Sequence, residues 1–381
     1  MPSIHTRRCT IDRRTDKTMY DTVVEEAQAM GDTNLGAHEI NSTFFPAKPD
    51  QKGNIYYQKA DGTPFVATFI AEIGSEAQGT WMAAYPKNTP PAFKLPYSDV
   101  TSKSHKMVLA LRCPTGAPEP LRTMYRDGVA VCDGIREHDE VREGKKGEHF
   151  DITDWITCEE GGEITVDKMF LLARLDQTYQ VPHGNNTNTS SPASRTPRPR
   201  ITKVGSATNP TTLSDGAPDV EEMEATEVTE RKVGDHYPPD DLPDHRGPYF
   251  AHDKAKLVQR DYKDVDGNLI APHELYSKLT EGTLVLVTVS LVKYVITNQK
   301  SEKGEAKADR KVYHVLVDRL KILDHGDGEA WNPPIPALPE RRYYSPATPK
   351  RGRDVAADAA FDGFGSRSSP SPSKRPKRNL K

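Results

Sequence analysis

The chain has 381 residues, of which 35% are hydrophobic and 28% charged, with 31 prolines and four cysteines. At roughly 150 residues per domain this length holds two or three domains, but apolar content below the usual ~45–50% and proline above the usual ~5% argue against a chain that is globular throughout. The net charge of −3 conceals an asymmetry: residues 341–381 carry eleven Lys/Arg and three Asp, or +8, which leaves −11 on residues 1–340. No run approaches the ~18 consecutive apolar residues of a membrane helix, four cysteines are too few for a disulfide scaffold, and Met1 to Tyr20 lacks the apolar stretch of a secretory signal.

Residues 1–40 read as a polar, loosely attached arm, with a short helix over Thr18 to Met30 that places Met19, Val23, Ala27 and Met30 on one stripe. Residues 41–181 form the first expected folded unit, all-β in pattern because short apolar runs alternate with turn signals. Ile55-Tyr56-Tyr57 leads through Asp61-Gly62 into Phe65 to Ile70, which suggests a hairpin with a type I′ turn. Trp81 to Tyr85, His105 to Cys113 and Phe150 to Ile156 read as further strands, and Met124 to Cys132 as a second hairpin around Asp127-Gly128. ITVDKMFLLARLDQTY (164–179) has helix-forming composition, but its β context favours a strand. Residues 182–245 are Pro/Ser/Thr/Asn-rich and then acidic. They bury too little apolar area to offset ordering, and a disordered linker is expected.

Residues 246–338 form the second expected unit. Lys256 to Tyr262 reads as a strand, Ala271 to Leu279 as one or two helical turns, and Thr283 to Ile296 and Lys311 to Leu323 as long strands. Val285, Val287, Val289 and Leu291 share one strand face. DKMFLLARLDQ (167–177) and RKVYHVLVDRLKILD (310–324) form a weak internal repeat, which supports the strand reading of the first copy. Residues 339–381 are expected to be a disordered basic tail. The fold class is therefore mainly β: two small β-barrel units of oligonucleotide-binding (OB) type, joined by an acidic linker and flanked by an arm and a tail.

The tail carries the most specific signal. Lys374, Arg375, Lys377 and Arg378 cluster tightly, and Lys350, Arg351 and Arg353 lie upstream. Such clusters fit the acidic grooves of a nuclear import receptor or contact phosphates, so the expected location is nuclear. Thr348 and Ser371 sit in Ser/Thr-Pro-x-basic contexts, where phosphorylation would remove roughly 1.5–2 charges each. Residues 254–331 resemble an OB domain of the kind that binds single-stranded DNA, on LTEG (279–282) opening a long strand, aromatics late in two strands, and a strand ending DHG (324–326). The resemblance implies base stacking on aromatics along a Lys/Arg-lined path. Its candidates are Lys293, Tyr294, Lys311, Tyr313, Arg319 and Lys321, of which Lys311, Tyr313, Arg319 and Lys321 share one strand parity, along with Val315 and Val317. KGNIYYQKADGTPFVATF, GTWMAAYP, HKMVLALRCPTG, GEHFDITDWI and VLVDRLKILDHGDGEAWNPP are also similar to a family of uncharacterised, multi-copy fungal proteins, which implies a layout but no activity.

Enzyme signatures are absent: there is no phosphate-binding loop, dinucleotide fingerprint, nucleophile elbow or HExxH. His149, Asp151 and Asp154, and separately Asp324, His325 and Asp327, lie close together but lack a third partner of matching spacing. Cys9, Cys113, Cys132 and Cys158 show no zinc spacing, and Cys113 and Cys158 read as small core residues. No cofactor or metal is expected. Trp81, Trp155 and Trp331 read as core or rim anchors, and the sequons at Asn41, Asn185 and Asn188 as chance matches. The leading expectation is a non-enzymatic nuclear accessory protein that binds single-stranded nucleic acid. The alternative is an interaction or self-assembly scaffold, with homo-oligomers among its partners. A weaker third option is a hydrolase or nuclease built on the first unit.

Overall fold

Two long runs of alternating apolar residues in the C-terminal third organise the molecule. The computed structural model describes residues 3–87, 97–144, 150–158, 168–182, 231–296 and 309–336, and Met1–Pro336 forms one compact unit. Its strands in chain order are β1 (Phe45–Pro46), β2 (Asn54–Gln58), β3 (Val66–Ile73), β4 (Tyr97–Ser98), β5 (Val108–Arg112), β6 (Phe150–Thr153), β7 (Ile156–Cys158), β8 (Met169–Leu175), β9 (Tyr179–Gln180), β10 (His236–Tyr237), β11 (Phe250–Ala251), β12 (Lys256–Val258), β13 (Tyr262–Lys263), β14 (Leu284–Ile296) and β15 (Asp309–Asp324). The helices are α1 (Ile4–Arg8), α2 (Met19–Met30), α3 (Glu119–Gly144) and α4 (Leu275–Lys278).

β14 is the hub. Leu284 to Ser290 pair antiparallel with β3, Val292 to Tyr294 pair with β2, and the whole strand pairs with β15. β15 in turn runs parallel to β8, β8 antiparallel to β5, and β5 meets β3 at Glu72↔Arg112 and Ile73↔Leu111. Backbone pairing therefore runs in a circuit, β3-β5-β8-β15-β14, while β1, β2, β6, β7 and β13 attach outside it. The ten-stranded sheet as a whole is mostly antiparallel and is not closed as a barrel.

This pairing corrects the expectation of two separate β units. Strands from 41–181 and 246–338 interleave in one sheet, because the donors and acceptors on both edges of β14 must be satisfied and β3 and β15 supply them. The linker also ends earlier than expected. Within 231–245, β10 pairs with β12, and Leu242 and Asp244 are buried.

One face of the circuit forms the core. Phe69, Ala71 and Ile73 of β3, Leu109 and Leu111 of β5, Leu171 and Ala173 of β8, and Val285, Val287, Val289 and Leu291 of β14 meet in one cluster, as the alternation in β14 requires. The two copies of the weak repeat lie side by side, with Ala173↔Val315 and Leu175↔Val317 in parallel register.

Helix α3 corrects a second expectation, since it spans the residues read as a hairpin at Met124 to Cys132. Tyr125, Val129, Cys132 and Ile135 recur at helical spacing and are buried in the core cluster. Gly128 is there for space: a Cβ at this position would lie 2.4 Å from Phe69 Cε2. β2 and β3 are not the arms of the expected hairpin: both pair with β14, and an isolated bridge, Gln58↔Pro64, joins the chain across the turn, where Gly62 has φ of 81° and Asp61 does not have positive φ, so the turn is not the expected type I′.

The N-terminal arm is not loose. Thr18 and Asp21 form a capping box on α2, and Tyr20, Val23 and Ala27 pack on Ile70 and Leu284 at the outer face of the sheet. Arg8 is 0% exposed. Its Nη1 lies 2.6 Å from Glu72 Oε2, its Nε 2.8 Å from Asp324 Oδ2, and its Nη2 donates to the Gly282 carbonyl at 2.6 Å.

Candidate functional site

Three of the six expected nucleic-acid contacts lie inside the protein. Lys293 and Tyr313 are each 1% exposed, and Lys311 is also buried. Strand alternation turns them towards α3, where Asp139 receives Lys293 and Tyr313. Lys293 donates to Asp139 Oδ2, the Tyr313 hydroxyl donates to the same oxygen at 2.8 Å, and the Tyr313 ring lies 5.1 Å from that of Trp155. Burial alone would raise the Asp139 carboxyl, but Lys293 and the Tyr313 hydroxyl hold it below the ordinary value. No base can stack on a tyrosine held in this way, so Tyr313 and Lys293 are structural, and Lys311 is buried beside them.

Arg319 and Lys321 fail the expected parity for a different reason. β15 is bulged at Asp318: Thr288 pairs with Arg319, but Val289 pairs with Val317. The extra residue reverses the alternation. Lys311, Tyr313, Val315 and Val317 point inward, whereas beyond the bulge Leu320 and Ile322 do. Arg319 is 72% exposed, 3.5 Å from Asp261, beside β13.

Tyr294 is the one aromatic candidate that faces outward. It lines a groove of about 610 Å³ with Lys52, Lys106, Arg174, Ile296 and His314. Alternation explains the set: Arg174 sits between inward Ala173 and Leu175, His314 between inward Tyr313 and Val315, and Tyr294 follows inward Lys293. The outer face is covered by α2 over Ile70 and Leu284, and the groove opens where that cover is missing. Tyr294 meets His314 edge-on, with ring centroids 4.9 Å apart. Beside it Tyr56 of β2, opposite Val292 in the register, is 46% exposed.

The groove is basic. None of its described lining residues is acidic. Lys106 has Asp176 at 3.9 Å, while Arg174 makes no ion pair or hydrogen bond among the described residues. Burial lowers the Arg174 guanidinium below its ordinary value. Burial, reinforced by Arg174 and Lys106, pushes the His314 imidazole down to about 3. Sequence reading missed Arg174, Lys106, Lys52, Tyr56 and His314, which come from four separate segments. The available signal was parity, because Arg174 and His314 each sit between apolar residues of opposite face.

The other clusters meet protein partners where their residues are described. Asp324 and Asp327 bind Arg7, at 2.7 and 3.2 Å. Asp154 accepts from the Ile156 amide and lies 3.4 Å from Arg136, while His149 is outside the described residues. His245 Nδ1 lies 2.8 Å from Asp240, and its Nε2 2.8 Å from His252 Nδ1. Nearby His105 donates through Nε2 to the Ala83 carbonyl at 2.9 Å. Burial pushes His105 down to about 4; burial and His245 do the same to His252. Cys132 is the fully buried cysteine, whereas Cys113 and Cys158 are half-buried. Among the described residues no group of three or more His, Cys, Asp or Glu is arranged to hold a metal ion, and no helix is long and apolar enough to cross a membrane. The basic clusters Lys350, Arg351, Arg353 and Lys374, Arg375, Lys377, Arg378, with Thr348 and Ser371, lie outside the described residues.

In comparisons with known proteins, no family model, no curated protein and no solved structure matches the chain.

Proposed function

We propose that the protein is a non-enzymatic nuclear factor that binds single-stranded nucleic acid along the outer face of its sheet. One observation carries the reading: among the described residues a half-buried guanidinium without a carboxylate partner, Arg174, opens beside a tyrosine in a groove whose described lining includes no acidic residue. Removing a cation from water is costly unless it is paired, and a phosphodiester supplies the missing anion in the fork geometry that arginine favours. Tyr294 and the more exposed Tyr56 offer faces on which unpaired bases stack, while Lys52 and Lys106 follow the backbone. A duplex keeps its bases paired and stacked inside, so two tyrosines at the surface favour a single strand.

The strand circuit supports the OB-like part of the reading. Numbered along the chain, β3, β5, β8, β14 and β15 are neighbours in the order 1-2-3-5-4, with the third and fifth parallel. An OB barrel is likewise five-stranded and partly open, although here three of the five strands, β3, β5 and β8, lie before residue 254. The basic tail, with its clusters at 350–353 and 374–378, supports nuclear import and adds nonspecific phosphate affinity.

The test is fluorescence anisotropy of the full-length protein with a labelled strand of ~30 nucleotides and with its duplex. Tyr294→Ala should weaken single-strand binding by about 1–3 kcal/mol, and Arg174→Ala should reduce the salt slope by about one contact. If neither substitution changes affinity, any binding belongs to the tail and the groove reading is wrong.

A further inference from the structure

Two groups at the centre of the groove make no hydrogen bond among the described residues. Among the described residues, Arg174 has neither ion pair nor hydrogen bond, and neither nitrogen of His314 is hydrogen-bonded. The elements around the imidazole bring cations or aromatic rings: Arg174 from β8, Lys106 ahead of β5, Lys52 from the turn before β2, and Tyr294 from β14. Carboxylates are further out. Asp176 lies 3.9 Å from Lys106, Asp318 also acts on Lys106, and Asp50 acts on Tyr294. We propose that this groove takes up a proton on His314 when it binds a phosphodiester strand, a step that rests on the groove being the nucleic-acid site.

The physical chain is short. With the groove open, desolvation and the fields of Arg174 and Lys106 keep the imidazole neutral, pushed down to about 3. A phosphate between Arg174 and Lys106 neutralises those fields and adds its own negative charge, so the cationic imidazole becomes favourable. The proton comes from solvent and adds to a ring nitrogen; no other bond changes. The imidazolium then gives the phosphate a second charge-assisted hydrogen bond beside the guanidinium. Sign follows from linkage. The strand-bound form holds more protons than the free form below the bound value, so affinity rises as pH falls. If the phosphate restores the ordinary value of about 6.5, affinity should rise about fourfold between pH 7.5 and pH 6.0.

The probe is oligothymidylate of about 15 nucleotides, because thymine and the phosphodiester do not titrate in this range. Binding to the full-length protein is measured by calorimetry at pH 6.5 in two buffers of different ionisation enthalpy, and by anisotropy at pH 6.0 and 7.5. The wild type should take up about half a proton per site and show the fourfold rise; His314→Gln should bind with near-zero uptake and a flat profile. Equal proton uptake by wild type and His314→Gln would overturn the proposal while leaving the groove reading intact. Binding that is absent in the wild type, or unchanged by Arg174→Ala, would overturn both.

Discussion

Replacing Arg8 with methionine removes a buried cation while keeping much of its volume. Three acceptors lose a donor: Glu72 Oε2 at 2.6 Å, Asp324 Oδ2 at 2.8 Å and the Gly282 carbonyl at 2.6 Å. Neither carboxylate is left without a cation, because Arg112 stays 2.6 Å from Glu72 Oε1 and Arg7 stays 2.7 Å from Asp324. The expected loss therefore sits near the low end of the ~3–5 kcal/mol for breaking a buried pair. For a unit of this size that is a fall of roughly 4–6 °C in melting temperature, measured by circular dichroism or calorimetry. Arg7→Ala is the control: its side chain is about half exposed, and its loss should cost less than about 1 kcal/mol. If Arg8→Met melted within 2 °C of the wild type, or no lower than Arg7→Ala, the N-terminal segment would not be fastened through this residue.

Three further outcomes test the interior. Tyr313→Phe deletes one hydrogen bond to Asp139 and should cost about 1–2 kcal/mol in denaturant titration, yet leave affinity for single strands unchanged; lost affinity with intact stability would return Tyr313 to the binding surface. Stability should be fully developed above about pH 6.5 and fall as pH drops towards 4, because unfolded histidine binds protons that folded His105 and His252, both pushed down to about 4, do not. His105 alone accounts for about 3 kcal/mol of that loss, so urea titrations giving equal stability at pH 7.5 and 4.5 would contradict its burial as a neutral ring. Gly128→Val should destabilise by about 1–3 kcal/mol through the clash with Phe69, whereas a turn glycine would respond mainly through backbone strain, and the ring environment of Phe69 followed by NMR separates the two.

What could be read from the sequence followed the range of the interactions involved. Helix α2 and the inward face of β14 were legible, because their apolar spacing is local and neither element is interrupted. Helix α3 was not, because Asp127-Gly128 carries a turn signal, and only the ring of Phe69, about sixty positions away, explains the glycine. The candidate site failed in an instructive way. Its parity argument was sound up to Val317, and a single bulged residue at Asp318 inverted it for Arg319 and Lys321. Tyr313 was unreadable as interior because its partner, Asp139, lies on the misread helix. Arg8 lies in the arm that read as polar and loosely attached; the acceptors that bury it come from residues 72, 282 and 324.

The interleaving of early and late strands has a consequence for how the molecule comes into being. β3 has no partner along most of its length until β14 exists, and β14 is not satisfied until β15 follows. The first half of the chain must therefore leave the ribosome with an open apolar face, and stable structure awaits residue 324. The same arrangement joins the chain before residue 182 and the chain after residue 231 through one sheet. A backbone cut in that interval would leave two fragments held by the shared sheet, migrating together under native conditions and separating only in denaturant.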